Sequence, residues 1–387
     1  MEKVRLGIIG YGTQGGFYGG LIANGQVPSM SVGAVAEIDG NQDARIKENH
    51  PDVTIYRDYK EMVDSGEVDA VITTVPHYLH PEMAEYALSK GIHVLNEKPA
   101  GVYTKQVKEL NDFAADQDAT YAIMFNQRNN PLYQKIKEVV ANGEIGDIRR
   151  TNWLITTWWR PQAYYAQSEW RATWGGEGGG VLVNQAPHQL DLIQWIAGVP
   201  EKVYSKVFYG SHRDIPVEDE VTIVMDYGNG ATGTFVTCTH DILGTDRLEI
   251  HGDKGKIVVE DSKTAKIYRL KESENEINKN MDVEGVRRLF MGELNIEDMF
   301  EVETFAEETP WGEQHAGVLE NFARHILHGD ELLAPGSDGI NGVRLANATH
   351  LSDWLGKEVS LADFDDDLYL EELNKRIEEE GKYETRK

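Results

Sequence analysis

The stretch Gly10–Gly15, GYGTQG, restricts the fold of this 387-residue chain more than any other feature. It follows a short apolar run, Val4–Ile9, and precedes a helix-like run, Phe17–Asn24. In a G-x-G-x-x-G motif the first glycine permits a tight turn, the second admits a pyrophosphate, and the third lets helix pack on strand. The helix N-terminus then faces the phosphates. In this context the motif predicts a dinucleotide-binding βαβ unit.

Acidic residues follow the next predicted strand. Val32–Ala36 ends at Glu37-Ile38-Asp39, about twenty residues beyond the glycines, where an acid bonds the ribose hydroxyls. A 2′-phosphate would meet two carboxylates there, with no adjacent arginine or lysine in the sequence. The pattern therefore favours NAD over NADP, although two solvated loop acids remain an alternative.

Strand-like and helix-like runs alternate through the first third of the chain. After the motif come Val68–Val75 (strand), Pro81–Lys90 (helix), Ile92–Leu95 (strand), Thr104–Gln117 (helix) and Tyr121–Phe125 (strand). This alternation is typical of an α/β fold with a doubly wound parallel sheet, here a Rossmann domain over residues 1–125.

Beyond residue 125 strands follow one another directly. They are Ile148–Trp159, Lys202–Tyr209, Val221–Tyr227, Ala231–Thr239, Arg247–His251 and Lys256–Glu260, with turn signals between the later ones. We expect residues 126–387 to form an α+β domain with a large open, mostly antiparallel sheet, used for substrate binding and oligomerisation. Its C-terminal helices could pack back on the first domain. The acidic segment 273–310 has no assignable role.

Polar residues follow two strands of the predicted parallel sheet, where ligands bind at the carboxyl ends. They lie in Thr73–His80 and Asn96–Pro99. Lys98, between a glutamate and a proline, is predicted to be a site residue rather than a surface lysine. A metal pair formed by His77 and His80 is disfavoured, because no nearby cysteine or further histidine supplies the missing ligands.

A glycine-rich segment leads into a helix-like run in Gly175–Trp195, GGEGGGVLVNQAPHQLDLIQW. Asn184 and His188 are four residues apart and would share one face of a continuous helix. Asp191 is placed to orient or charge the imidazole. Pro187 requires the helix to start or kink there. A buried helix with one satisfied histidine is the alternative.

The segment before these glycines is crowded with aromatic side chains. They are Trp158, Trp159, Tyr164, Tyr165, Trp170 and Trp174, accompanied by Arg160 and Arg171. Such a segment is either core or subunit interface, since large exposed apolar surfaces are rare, or a site where rings stack on a sugar. The sequence leaves both interpretations open.

Composition excludes several classes of protein. With 38 basic and 65 acidic residues the formal net charge is −27, which argues against nucleic-acid binding and against anionic membranes. No apolar run is long enough to span a membrane. Cys238 is the only cysteine, so an intrachain disulfide is impossible. With no signal peptide before the first strand, we expect a cytoplasmic protein.

Five motifs in this order resemble the Gfo/Idh/MocA oxidoreductases: GYGTQG, the Glu37 region, TVPHYLH, GIHVLNEKPAG and GGGVLVNQAPHQLDLIQWIAG. The resemblance runs from Val4 to about Val359. It implies that Lys98 lies beside the nicotinamide and the reacting hydroxyl, that His188 is the family histidine, and that Trp170 and Arg171 lie near the cofactor. Asn184 stands where the family often has aspartate. An amide cannot take a proton, so Asn184 can only orient substrate or His188.

These observations together predict reversible, NAD-dependent oxidation of a secondary hydroxyl of a sugar, glycoside, anhydrosugar or cyclitol to a ketone. Lys98 and His188 are the expected catalytic residues, and no metal is expected. The expected cofactor-binding residues are Gly10, Tyr11, Gly12, Thr13, Gln14, Gly15, Glu37, Asp39, Thr74, Pro76, His77, His80, Glu97, Lys98, Asn126, Trp170 and Arg171. The expected substrate-binding residues are Lys98, Arg128, Trp159, Arg160, Tyr164, Asn184, His188 and His315.

Two other functions stay open on sequence grounds. One is an NAD-dependent glycosidase or lyase that oxidises its substrate transiently, and the other is a non-catalytic regulator that binds NAD and sugar. In each case the expected partner is a small sugar or polyol, with neither nucleic acid nor membrane involved. We also expect a homo-oligomer, either dimer or tetramer.

Overall fold

The computed structural model describes residues 3–386. The first domain contains the strands β1 (Val4–Ile9), β2 (Met30–Ala36), β3 (Thr54–Tyr56), β4 (Ala70–Thr73), β5 (His93–Asn96) and β6 (Tyr121–Ile123). Between them lie the helices α1 (Thr13–Ala23), α2 (Asp43–Asn49), α3 (Tyr59–Asp64), α4 (His80–Ser89) and α5 (Thr104–Ala115).

The six strands form one parallel sheet in the order β3-β2-β1-β4-β5-β6. This confirms the predicted Rossmann fold. The order in which the strands are added reverses between β1 and β4, although the two strands are parallel, so the glycine motif after β1 and Thr74 after β4 meet at one crevice, the usual ligand position in such sheets. The sequence patterns did not reveal β3, α2 or α3, which are short.

The second domain contains α6 (Pro131–Ala141), β7 (Ile148–Ile155), α7 (Gln162–Tyr165), α8 (Val181–Asn184), α9 (Pro187–Ala197), β8 (Lys202–Tyr209), β9 (Glu218–Asp226), β10 (Thr232–Cys238), β11 (Asp246–Gly252), β12 (Gly255–Glu260) and β13 (Thr264–Leu270). It continues with α10 (Glu274–Asn280), α11 (Val283–Phe290), β14 (Phe300–Ala306), α12 (Glu313–His328), α13 (Gly339–Leu355), β15 (Val359–Ser360) and α14 (Asp366–Glu380).

Nine strands form the second sheet, in the order β14-β13-β12-β11-β7-β10-β9-β8-β15. All neighbours are antiparallel except β7 and β10, which confirms the predicted open, mostly antiparallel sheet. The acidic segment 273–310 supplies α10, α11 and the edge strand β14. Neither β13 nor β14 was predicted.

Of the two alternatives that the sequence left open at Pro187, the structure shows a helix start, so Asn184 and His188 do not lie one turn apart on a single helix. Asn184 ends α8, and Pro187 is the first residue of α9. Proline is favoured at a first helical position because its missing N–H would have no partner there. The two side chains are therefore placed by two separate helices.

The C-terminal half of the chain contributes to both domains. Val318, Leu319 and Phe322 of α12 are buried against Leu6 and Tyr18 of the first domain. The helices α9 and α13 cover the inner face of the second sheet. Among residues 3–386, no helix combines the length and apolar character needed to cross a membrane.

The outer face of the second sheet carries exposed apolar side chains, including Leu154, Tyr204, Phe208 and Val224. Homo-oligomers commonly bury such faces. We expect the protein to be oligomeric at micromolar concentration by light scattering, and Val224→Glu to weaken association by burying a charge. Val199→Glu, at an exposed loop position, is the control. A monomeric unmodified protein would contradict this expectation.

Candidate functional site

The glycine motif forms an open cradle at the start of α1. Gly10 has φ +85°, and a Cβ on Gly15 would lie 2.0 Å from the Gly10 carbonyl oxygen. A Cβ on Gly12 would meet no heavy atom of the described chain within 4 Å. The Thr74 hydroxyl donates to the carbonyls of Ile9 and Gly10 and fixes the turn. Space for a phosphate therefore lies before exposed backbone at a helix N-terminus.

Glu37 lies buried at the carboxyl end of β2. Its carboxylate accepts the Tyr11 N–H at 2.6 Å and the Asp39 N–H at 2.8 Å. Asp39 instead accepts the Asn41 N–H and caps the turn Gly40–Gln42. Glu37 is thus fixed against the glycine motif, where a ribose is expected, and Asp39 has a local structural role.

The sequence suggested that no arginine lies beside Glu37 and Asp39, where the ribose is expected, and the structure corrects this. The Arg45 guanidinium lies 5.6 Å from the centre of the Tyr11 ring and donates to the Gly12 carbonyl at 3.4 Å. Arg57 donates to the Glu37 carbonyl at 2.7 Å. Both reach the crevice from beyond β2, through elements that the sequence patterns did not reveal.

Lys98, two residues beyond β5, links the domains. Its Nζ donates to the Asn184 carbonyl of the second domain at 3.1 Å. Burial lowers the pKa of Lys98, while the charges of Glu97 and Glu177 raise it. The buried Glu97 accepts the Lys98 backbone N–H at 2.9 Å and the Tyr18 hydroxyl. The ammonium therefore lies at the domain junction, with a carboxylate contributed from each side.

His188, in the first turn of α9, approaches Lys98 from the second domain. Burial lowers the pKa of His188 well below its usual value, and the charge of Lys98 and the neighbouring titratable group of His315 lower it further. Its Nδ1 is buried without a hydrogen-bond partner among residues 3–386. Its ring packs edge-on to Phe125, with centroids 6.5 Å apart. His188 is therefore neutral at pH 7, with a ring nitrogen free for a ligand.

His315 on α12 has a similar environment. Burial lowers its pKa to about 4, with a further contribution from Lys98. Its ring packs against Phe17, Tyr18 and Trp311. Its Nδ1 is likewise buried without a partner in the described chain. Two neutral imidazoles thus share the surroundings of one ammonium.

A polar network centred on Glu177 lies beside Lys98. Glu177 accepts the Ala172 N–H at 2.6 Å and the Asn184 side-chain amide, and lies 3.7 Å from Arg171. Tyr164 accepts from Arg171 at 2.8 Å and donates to the Asn184 side-chain oxygen at 3.4 Å. Sequence reasoning missed Glu177. The available signal was an acid within a run of glycines, GGEGGG, ahead of the candidate helix.

The remaining predicted cofactor residues surround the same crevice. The two ring nitrogens of His80 lie 2.8 and 2.9 Å from the carbonyl oxygens of Pro99 and Val75, and His77 contacts the Glu177 carbonyl and the edge of Trp170. Gln14 donates to Tyr18, and Pro76 precedes the short turn His77–Leu79. The buried Asn126 side-chain oxygen has no partner in the part of the chain described. Thr13 is exposed at the start of α1.

Two predicted roles are not supported by the geometry. Arg128, expected at the substrate, is buried and bonded to Asp191 at 2.9 and 2.6 Å and to Asp338 at 2.7 Å. Both oxygens of Asp191 are therefore held by Arg128, so Asp191 does not orient His188. This buried ion-pair network ties the turn after β6 to α9 and to the turn before α13.

Two residues of the aromatic segment, Trp159 and Arg160, have their hydrogen-bond partners outside the network around Glu177. Trp159 is exposed and lines an open groove with Gln162 and Arg213. The Arg160 backbone N–H donates to Thr239 at 2.9 Å, and its guanidinium lies 5.1 Å from the Tyr164 ring centre. Of this segment, Tyr164 and Arg171 are the residues placed in the network around Glu177.

These residues fit a bound dinucleotide. The cradle at Gly12 and the fixed Glu37 carboxylate lie at the crevice between β1 and β4, and Asn126 and His188 each carry a buried polar atom with no partner among residues 3–386. Buried polar atoms are normally hydrogen-bonded, so unpartnered ones at a crevice point to a ligand.

Comparison with models of known protein families shows the family of this chain. Residues 4–125 match the model for the "Oxidoreductase family, NAD-binding Rossmann fold", and residues 133–258 match the "GFO/IDH/MocA C-terminal domain". The chain belongs to the Gfo/Idh/MocA oxidoreductase family. The first domain is accordingly an NAD-binding domain, as the sequence predicted.

The relatives of this chain include an oxidoreductase without a named substrate and dehydrogenases whose substrate is named. An uncharacterised oxidoreductase, YrbE of Bacillus subtilis, is 23% identical over 93% of this chain and 97% of its own length. Levoglucosan dehydrogenase of Pseudarthrobacter phenanthrenivorans is 26% identical over 52% of this chain, but the match spans only 57% of that protein. A solved levoglucosan dehydrogenase with NADH and levoglucosan has TM-score 0.78 at 19% identity, covering 93% of this chain and 100% of that one.

The Arg128–Asp191 pair of this Gfo/Idh/MocA protein gives a stability prediction. Asp191→Ala leaves the buried guanidinium without its two-bond partner and should lower the free energy of unfolding by about 3–5 kcal/mol in urea titrations. The control is Asp367→Ala, whose ion pair with Lys105 is exposed and should change stability little. Equal effects in the two variants would show that the buried network is not structural.

Proposed function

We propose that this protein oxidises a secondary hydroxyl of a sugar, glycoside, anhydrosugar or cyclitol to a ketone, reversibly and with NAD. The observation that carries the proposal is the meeting of Lys98, His188 and His315 at the domain junction, beside the crevice of an NAD-binding domain. The levoglucosan dehydrogenases among its relatives support the substrate class.

Bound NAD supplies the hydride acceptor. The chain's own task is to hold the carbinol and remove its proton. Neutral His188 accepts the hydroxyl proton at a ring nitrogen, and the Lys98 ammonium donates a hydrogen bond to the same oxygen and stabilises its developing negative charge. The lowered pKa of His188 keeps this base unprotonated at neutral pH.

Neutral side chains, some of them held by hydrogen bonds to other residues, orient the substrate. Asn184 is fixed by Glu177 and Tyr164, so its amide cannot rotate freely and can position a second hydroxyl. His315 presents an unpartnered Nδ1 within the described site and supplies another fixed hydrogen-bonding group. A polyol with neighbouring hydroxyls would offer hydrogen-bond partners to both of these groups.

Replacement of Lys98 tests the catalytic assignment. Lys98→Ala should lower kcat by roughly 10²–10⁴, because a charge-stabilising donor is lost, while NADH binding measured by fluorescence stays nearly unchanged. Lys108→Ala, at an exposed position on α5, is the control. Normal turnover by Lys98→Ala would remove Lys98 from the mechanism.

Replacement of His188 should give a distinguishable pH profile. In the unmodified protein kcat should fall only as pH drops through the lowered pKa of His188, since protonation then removes the base. His188→Ala should lower kcat by roughly 10²–10⁴ and recover part of it at high pH, where hydroxide replaces the base. A pH profile identical in shape to that of the unmodified protein would rule out His188 as the base.

The preference for NAD over NADP follows from the residues at the expected position of the adenosine ribose. Glu37 should make kcat/KM higher with NAD than with NADP, because a 2′-phosphate would approach a fixed carboxylate. Glu37→Ser combined with Ile38→Arg should shift the ratio toward NADP. Arg45 and Arg57 flank the same position and would assist that shift. If kcat/KM of the unmodified protein is equal with the two cofactors or higher with NADP, the role assigned to Glu37 is wrong.

Net NADH formation separates this function from the two alternatives. A dehydrogenase yields stoichiometric NADH with its sugar or cyclitol. A glycosidase or lyase that oxidises transiently releases product without net NADH, and a regulator gives neither. A panel of sugars and cyclitols followed by NADH absorbance distinguishes all three.

A further inference from the structure

Three potential metal ligands converge on the outer face of the second sheet. His212 Nε2 and His240 Nε2 lie 3.3 and 3.1 Å from the same oxygen, Oε2 of Glu220. The two imidazole rings have centroids 3.9 Å apart. All three ligand atoms lie within 4.8 Å of one another. Sequence reasoning expected no metal and could not find this cluster, because its members come from different strand ends.

The spacing of these atoms matches a tetrahedral ion. Ligands about 2.0–2.1 Å from a tetrahedral Zn²⁺ are separated from each other by about 3.3–3.4 Å. The two nitrogen–oxygen separations in the cluster, 3.3 and 3.1 Å, are close to that value, and the ligand nitrogens lie within 4.8 Å of each other. Two imidazoles and one carboxylate are also a ligand set that zinc sites use, with a fourth position left open.

Buried hydrogen bonds fix the loop that carries His212. The fully buried Asp219 carboxylate accepts the backbone N–H groups of Ser211, His212 and Arg213, at 3.3, 2.6 and 3.1 Å. A single side chain thus holds three consecutive residues of the loop after β8. His212 is therefore presented on a fixed backbone and not on a free turn.

Arg213 fastens the same loop to the segment that carries His240. Its guanidinium donates to the carbonyls of Arg160, His212 and Thr239, at 2.6, 2.6 and 3.2 Å. Thr239 directly precedes His240, and its N–H donates to the Asp219 carbonyl at 2.9 Å. The strand ends that carry the three ligands are therefore locked together before any ion arrives, which reduces the entropy lost on binding.

The cluster is separate from the domain junction. Glu220 alternates with the buried Val221 on β9 and so projects from the outer face of the sheet, whereas α9 with His188 covers the inner face. All three side chains remain partly exposed to solvent, at 44%, 35% and 28% for His212, Glu220 and His240. An ion can therefore enter directly, and His212 also borders the open groove of about 770 Å³ that contains Trp159.

We propose that His212 Nε2, His240 Nε2 and Glu220 Oε2 bind one divalent transition-metal ion, with Zn²⁺ the best match to the ligand set. The fourth coordination position faces solvent at the edge of the groove. The ion ties the segments after β8 and β10 to β9, and takes no part in hydride transfer. Its expected effect is thermal stabilisation of the protein, since a ligand that binds only the folded state stabilises it.

Calorimetric titration of the metal-stripped, full-length protein with ZnCl₂ tests this. We expect one tight Zn²⁺ site per chain and a rise in Tm on adding Zn²⁺. His240→Ala and Glu220→Gln should each weaken binding by more than the roughly 10–100-fold that loss of an outer-shell partner causes. Glu220→Gln is nearly isosteric, so it remains informative if His240→Ala folds poorly. His328→Ala, an exposed histidine at the end of α12, should change neither quantity.

Cobalt gives an independent readout of geometry. Co²⁺ bound to the same site should show the intense visible bands of four-coordinate cobalt, and Glu220→Gln should abolish them. The proposal is overturned if the unmodified protein binds no Zn²⁺ at micromolar concentration, or if binding survives in both His240→Ala and Glu220→Gln. It is equally overturned if His328→Ala weakens binding as much as they do, because the uptake is then adventitious.

Discussion

The domain junction depends on one partly buried ammonium, that of Lys98. Moving a charged group out of water costs free energy unless charges of opposite sign lie nearby. A lysine at this position without such partners would lose its proton or turn its side chain toward solvent. Glu97 from the first domain and Glu177 from the second provide the compensating charges, and burial raises the pKa of both carboxyls. The two domains therefore have to meet in one arrangement for the ammonium to remain charged.

Each carboxylate is in turn held by its own domain. Glu97 receives the Tyr18 hydroxyl, so its position depends on α1, the helix that begins at the glycine motif. Glu177 receives the Ala172 N–H and lies beside Arg171, so its position depends on the aromatic segment after β7. The cofactor crevice and the substrate side are thus coupled through Lys98. A change in either α1 or the aromatic segment alters the charge balance around the Lys98 ammonium.

Periodicity and glycine placement predicted the two sheets and most of their strands, because most strands and helices carry their own local pattern, whereas β3, β13 and β14 were not predicted. The same patterns placed Lys98, Asn184 and His188 near one another, since strand ends and the family motifs define that point. They failed where a residue's partner is distant in the chain. Asp191 looked available to His188 at helical spacing, but Arg128, sixty-three residues earlier, holds both its oxygens. The arginines at the ribose end and the histidines around Glu220 were missed for the same reason.

The contact between Asn184 and Glu177 explains why an asparagine occupies position 184. The Asn184 side-chain amide donates to a Glu177 oxygen, and an ionised aspartate at 184 has no proton to donate there. It would place a second carboxylate against the first in a buried setting and raise the pKa of one of them. The chain instead keeps one acid, on the glycine-rich segment, and a neutral amide on the helix. With Lys98 already compensated by Glu97 and Glu177, a third carboxylate would over-neutralise the ammonium and weaken the stabilisation it gives to a developing alkoxide. The departure from the common family residue is therefore consistent with the same proton chemistry, with the negative charge supplied from position 177.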